Sequence, residues 1–548
     1  MKKVYLFLAA LAIAAIGCNK AEIDSENNLP APAEPQKENV VYIGANLPEF
    51  IDTKAAVDAD GAFSWANGDA ISVLCKRAED NDFYYVDFYY DTAAGKFACD
   101  MSTACSFRTG SSGVEPITGT YTVATAAEMA TVSTPFAKYP AQMVADNNLN
   151  YDKIGKVFKM EGSLETDGSI KFVHKSALLK LDYSNVPGIA NYIKVINGSE
   201  AVVARLNSAT GTVNTMIPVT PTGSSETIRI ELCMQDGSLL VAKKKTATLV
   251  AGTLYKTPAI TINPDVYLIS NLTSWTYGDA LKMSGTGSTR TATLVGNADK
   301  YYRYVVDFGS VQVDMGPSVD GSDAMSETFV NAANASKLTA YGVYDFTFDF
   351  VSAQNTVAAS TVSPQIYLTG SFQQPDAWSL NCDTPMTMIN DWEGYLVMDV
   401  AADTKLKAYT NPYWGSAFPS GDVKLELANY YLFVGDAYAG KLQGVYANAT
   451  ASAATSMTLK GSFDGWSTGL AMTQIGTTPF WSVDVDWANQ TEFKFVKDGS
   501  TWMAYGDGSY ATPGSGQDWN SGNIRIFSGK YRIIASENDG RFAILDMN

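Results

Sequence analysis

Leu459-Lys-Gly-Ser-Phe-Asp-Gly-Trp466 is the stretch whose reading decides the fold. Leu459 and Phe463 supply the apolar side chains of a short strand. Asp464-Gly465 is turn chemistry, because glycine takes positive φ without a steric penalty. Trp466 closes the turn. The same pattern is written twice upstream: Ile366-Tyr-Leu-Thr-Gly-Ser-Phe372 leads to Trp378, and Val266-Tyr-Leu-Ile-Ser-Asn-Leu272 leads to Trp275. A methionine follows each tryptophan (Met283, Met386, Met472), then a strand with an aspartate near its end: Tyr302–Phe308, Tyr395–Val400 and Trp481–Val485. The tryptophans lie 103 and 88 residues apart, the size of one β-sandwich module. Three tandem modules are expected, over residues 263–358, 359–452 and 453–548.

A chain of 548 residues is too long for one core. Dense turn signals and the lack of long amphipathic helical patterns argue for an all-β build of antiparallel sandwiches strung one after another. The formal net charge of −18 argues against nucleic acid as a partner, since phosphates demand Lys/Arg surfaces. It gives no reason to expect adsorption on anionic lipid.

The N-terminus supplies another route to a membrane. Lys2-Lys3, the apolar run Val4–Ile16 and Ala15-Ile16-Gly17-Cys18 form a positive region, a hydrophobic region too short to span a bilayer, and a small-residue cleavage site. The pattern resembles a bacterial lipoprotein signal (residues 1–17), with Cys18 as the acylated first residue of the mature chain. Acyl chains worth roughly 0.8 kcal/mol per buried CH₂ would hold it there essentially permanently. Residues 18–39 are acidic and proline-rich, the composition of an extended tether. The acidic residues behind Cys18 look like the export signal of outer-membrane lipoproteins displayed on the cell exterior.

Residues 40–262 differ from the repeats. Thr53-Lys54, then Phe63-Ser-Trp65-Ala-Asn-Gly68-Asp69-Ala-Ile71, and later Phe172-Val-His174-Lys-Ser-Ala177-Leu-Leu179, resemble the fimbrillin-like family of surface proteins. That resemblance implies two tandem β-sandwiches of transthyretin-like topology, with Trp65 in a core. Members that polymerise are cut after an arginine near their start. Lys54 stands at that position here and the first arginine is Arg77, which argues against polymerisation.

Apart from Cys18 the cysteines are Cys75, Cys99, Cys105, Cys233 and Cys382. They form no CxxC pair, so no zinc site is indicated. Cys99 and Cys105 could bridge a short loop or be two buried thiols. The single histidine, His174, would have to carry any Ser-His or Cys-His centre. A surface or strand-edge histidine is the simpler reading, and Ser176 is too local to be its nucleophile. Asp58-Ala-Asp60-Gly61 lacks the later ligands of a calcium loop and reads as a turn. Neither catalysis nor a cofactor is expected.

Aromatic surface on β-sandwiches has its own chemistry. The polarised C–H face of a sugar ring packs on an aromatic face, while its hydroxyls need amide or ammonium partners. In the last module Phe493 and Phe495 alternate inward with Lys494 outward, and Lys497, Trp502, Tyr505, Trp519 and Asn520 follow. The middle module repeats the order with Lys407, Asn411, Tyr413 and Trp414. Here the chain resembles the SusE/SusF starch-binding surface lipoproteins. The resemblance implies aromatic platforms at Trp414 and Trp502, with Tyr413, Tyr505 or Trp519 alongside. Lys407, Lys494, Lys497, Asn411 and Asn520 would bond the hydroxyls. It implies a polysaccharide as partner, and a surface glycan transporter beside it. The first module lacks the second tryptophan and is expected to be a spacer or to have lost its site. Trp275, Trp378 and Trp466, locked to the strand-turn frame, are expected to be structural. The competing reading is an adhesin or accessory subunit of a fimbria-like structure.

Overall fold

The computed structural model describes residues 39–46, 51–52, 65, 67, 69–106, 117–139, 148–150, 159–273, 275–381, 384–447, 453–503, 508–512, 518–520 and 522–548. Cys18, the tether, Lys54 and the Asp58–Gly61 turn fall outside them. Nearly every element is a strand; the α-helix over Ala126–Met129 is a single turn. No helix among the described residues is long and apolar enough to cross a membrane.

The chain divides into two compact units. The first is built on the strand order Val40–Ile43, Lys96–Asp100, Phe83–Asp91, Ala70–Arg77. Its strands are rich in β-branched and aromatic residues, which suit a pleated surface covered on one face. Trp65 is half-buried there, its indole N–H donating to the Ala45 carbonyl at 3.1 Å. Phe97 meets the ring edge-on at 4.7 Å.

The second unit begins with a sandwich whose central strand, Ala177–Val186, pairs antiparallel with Gly211–Val219 and parallel with Thr253–Lys256. Alternation along a strand does not reveal the direction of its neighbour. The parallel pair is possible because the intervening strands of the opposite sheet provide the long crossover such a pair requires. His174 is buried at the end of its strand, which rules out the surface position among the two expected, surface or strand edge. The buried Ser176 hydroxyl accepts from the Lys159 N–H at 3.2 Å.

Three further sheet pairs follow. In each, the strand carrying the tryptophan motif pairs antiparallel with a second strand of its own sheet: Asp265–Ser270 with Tyr301–Asp307, Tyr367–Gly370 with Lys405–Tyr409, and Met457–Gly461 with Thr491–Lys497. The facing sheets carry Thr289–Gly296, Glu393–Val400 and Phe480–Trp487. This corrects the sequence alignment, which equated Tyr302–Phe308 with the second of these sets rather than the first. Alternating strands resemble one another in pattern, and only pairing separates them. The methionines do repeat in structure. The amides of Met283, Met386 and Met472 donate to the carbonyls of Val266, Ile366 and Met457 at 2.8, 2.8 and 2.9 Å, and all three side chains are buried.

Neighbouring sandwiches of this unit share apolar surface. Leu432, Val434 and Val445 of the middle one pack with Phe480, Ile534 and Leu545 of the distal one, each such side chain contributing roughly 1.5–3 kcal/mol. Glu393, fully buried in the same joint, accepts from the Tyr510 hydroxyl at 3.0 Å and lies 2.9 Å from the Thr512 hydroxyl. Burial raises its carboxyl from 4.5 to about 7, against the lowering effect of those two hydroxyls. Between these values the folded chain keeps a proton that the unfolded chain has lost. The stability present at low pH therefore falls as pH rises through about 7. Thermal melts of the full chain are expected to show the distal transition falling between about pH 5 and pH 8, and Glu393→Gln is expected to flatten that slope. An unchanged slope in the variant would show that Glu393 is not its source.

Candidate glycan platform

Two features of backbone geometry build the site. The motif strands of the middle and distal sandwiches end in Gly370 and Gly461. A Cβ at either would run into the carbonyl oxygen of the paired strand, that of Lys405 or Glu492. The glycine carbonyls then accept from the amides of Trp378 and Trp466, at 3.0 and 2.9 Å. Both tryptophans take up left-handed backbone, with φ of 65° and 62°, which is unfavourable for a bulky side chain by roughly 1–2 kcal/mol. In the distal turn the Asp464 carboxylate holds this shape by accepting from the amides of Gly461, Trp466 and Gly469. Desolvation opposes these bonds, yet the carboxyl is held below its usual range.

The turn directs each of these half-buried indoles at a second one. Trp378 lies 6.2 Å from Trp414, ring centre to ring centre, with the planes 50° apart. Trp466 lies 6.2 Å from Trp502 with the planes 43° apart. Trp414 and Trp502 are 52% and 48% exposed, too open for core residues. Trp414 heads the short 3₁₀ turn Trp414–Ser416, and Trp502 lies in the strand Thr501–Met503, opposite Val496. The partnership of the turn tryptophans was not legible in the sequence, which read them as structural. A shared spacing of 36 residues within each pair was the available signal.

Trp275 in the proximal sandwich is 42% exposed, also against expectation. Among the described residues no second ring pairs with it. The Arg303 guanidinium lies 5.1 Å from its ring centre instead.

The other expected site residues divide. Lys494 lies on the outer face of the distal sheet, between the inward Phe493 and Phe495, and directly opposite Lys460. The Lys460 ammonium stands 5.8 Å from the Trp502 ring centre, a residue that the sequence reading quoted without assigning it a role. Lys497 lies three residues further along the same strand, opposite Thr501. Backbone register places Trp519 opposite Ile524 and Asn520 opposite Asn523; their side chains, and Tyr505, fall outside the described residues. Lys407 turns aside, donating to the Ser420 carbonyl at 2.9 Å and lying 3.7 Å from Asp422.

Two expectations are corrected. Asn411 is buried, and its amide exchanges two bonds with the backbone of Val295 in the proximal sandwich, accepting at 2.9 Å and donating at 2.8 Å. It serves as a joint and has no free amide to offer a sugar. Tyr413 is half-buried against the core cluster that includes the proximal sandwich, and burial raises its hydroxyl above the usual range. Gly415 beside them rests on the carbonyls of Leu272 and Thr273, where a Cβ would not fit.

Two cavities elsewhere have a different character. One of about 540 Å³ lies in the sandwich after residue 172 and is lined by Leu179, Ile230 and Ile260. One of about 270 Å³ is lined by Asn297, Thr410 and Tyr438. The indole pairs line neither of them. No cluster of three or more potential metal ligands occurs among the described residues.

No protein-family model matches the chain, and no curated protein matches it. Among solved structures it is similar to SusF from Bacteroides thetaiotaomicron, with 14% identity and a TM-score of 0.17, over 67% of this chain and 100% of that one. It is also similar to a fimbrial protein from Bacteroides ovatus, with 13% identity and a TM-score of 0.18, over 48% of this chain and 58% of that one. Both names are those that the sequence motifs suggest.

Asn411→Ala would leave the Val295 N–H and C=O buried without partners, at a cost of about 2–3 kcal/mol. Urea titration of the full chain is expected to show that loss. A change below about 0.5 kcal/mol, the scale of ordinary surface substitutions, would mean that the joint does not depend on Asn411.

Proposed function

We propose that this chain is a non-catalytic surface lipoprotein, anchored through Cys18, that holds polysaccharide on the paired indoles of its middle and distal sandwiches. The observation that carries this reading is the repeated pair Trp378–Trp414 and Trp466–Trp502. A packing role does not account for it: one ring of each pair is half in water, and the other is held there by a strained backbone. Strain kept at the same place in two sandwiches points to function. Ring centres 6.2 Å apart let the two faces meet one polymer side by side. Planes tilted by 43–50° suit a polymer that curves, such as an α-glucan, better than a flat ribbon. An open shelf also accepts a long chain laid across it, which an enclosed cavity would exclude.

Each stacked ring adds about 0.5–1.5 kcal/mol, so one platform alone gives weak binding. Two platforms engaging one polymer gain about a hundredfold through effective concentration. A partner at the cell surface, a transporter or a degrading enzyme, would then receive polymer that is already retained.

Affinity electrophoresis of the full chain through gels containing neutral glucans tests this. Trp414→Ala and Trp502→Ala are each expected to weaken retention up to about tenfold, and the double variant to abolish it. Trp378→Ala and Trp466→Ala are expected to act in the same direction, which a core role would not produce in a folded variant. Unchanged migration of all four across a panel of glucans would overturn the reading.

A further inference from the structure

The three repeated sandwiches allow one comparison that the chain makes with itself. On the outer face of each tryptophan-bearing sheet, one position of the second strand is always basic: Arg303, Lys407 and Lys494. The residue directly opposite on the motif strand changes, being Ile269, then Thr369, then Lys460. Only the distal sandwich sets two cations against each other. Like charges directly opposite across a ladder are destabilising, and the cost is avoidable, as the other two sandwiches show.

The cations also differ in how they are neutralised. Arg303 donates to Asp314 at 2.9 Å. Lys407, whose side chain is only 18% exposed, has Asp422 and a backbone carbonyl, while Thr369 opposite it is buried and bound to Gln373. Neither Lys460 nor Lys494 has a carboxylate partner among the described residues. The carboxylate nearest in register, Glu492, is already engaged by Arg525 at 2.6 Å and by Asn523 at 3.1 Å. In a chain of net charge −18, carboxylates are plentiful, yet among the described residues none pairs with these two lysines, one of which stands at the Trp502 ring.

We infer that the distal platform recognises anionic glycans in addition to neutral ones, with a uronate or sulfate group received between Lys460 and Lys494 while its ring lies on Trp466 and Trp502. This rests on the glycan reading proposed above and extends it. The middle platform, with its one lysine already neutralised, takes uncharged sugars. The acidity of the chain as a whole does not oppose this, because charges more than about 8 Å away are screened at physiological salt.

The test uses the full chain in affinity electrophoresis against a neutral glucan, polygalacturonate and chondroitin sulfate, the last two separating carboxylate from sulfate. Wild type is expected to be retained by at least one polyanion. Lys460→Gln and Lys494→Gln are each expected to lose about tenfold of that retention and the pair about a hundredfold, while circular dichroism and thermal melting report that both variants fold. Trp502→Ala is expected to weaken polyanion retention as well. The inference is overturned if no polyanion is retained, or if the double lysine variant is retained like wild type. It is also overturned if polyanion retention survives Trp502→Ala and disappears in about 0.5 M salt, which would be simple ion exchange. None of these outcomes changes the neutral-glucan result on which the broader reading stands.

Discussion

One backbone hydrogen bond sets the geometry of each platform, from the amide of a left-handed tryptophan to the carbonyl of the glycine that ends its strand. The glycine is required because the paired strand passes too close for any side chain. The tryptophan is required because its ring, directed by the tight turn, meets another ring that arrives 36 residues later. Without that bond the strand would still pair and the sandwich would still close. The indole would then be free to settle on the apolar side of the sheet, as an exposed aromatic ordinarily does. The scaffold is thus tolerant of sequence, while the site depends on a few atoms.

Much of the scaffold was legible in the sequence, for reasons that are local. Period-two alternation in Glu492–Lys497, turn chemistry at Asp464-Gly465 and the recurring methionines each report on a few neighbouring residues. Trp414 and Trp502 could be singled out because they stand among turn residues rather than in an apolar alternation. The rest depends on pairing at a distance. The fate of Asn411 is decided by Val295, which belongs to another sandwich. Lys460 gains meaning only once register sets it against Lys494. The strand Tyr302–Phe308 was matched to the wrong partners, because an alternating pattern states that a strand exists and not which sheet receives it.

The joints between sandwiches follow two different chemistries. The proximal–middle joint uses polar atoms satisfied in pairs, with Asn411 replacing the missing backbone partners of Val295. The middle–distal joint is an apolar patch that surrounds one carboxyl, Glu393, whose charge is costly to keep there. Both are side products of strands whose outer faces would otherwise be wet. At the polar joint the consecutive residues Tyr413 and Trp414 meet opposite surroundings, one ring half-buried against the neighbouring core and the other turned to water.

Under the proposed function, the openness of the shelves has a consequence for the kind of material that would be held. A closed tunnel must be threaded from a chain end, so it selects short or frayed polymers. A shelf can be approached from the side, at any point between branches, and the number of places where it can land grows with the length of the polymer. Capture by such a surface would favour intact, high-mass material and release fragments once they are trimmed too short to bridge two shelves. Degree of polymerisation would then act as the signal that separates cargo to be kept from product to be passed on.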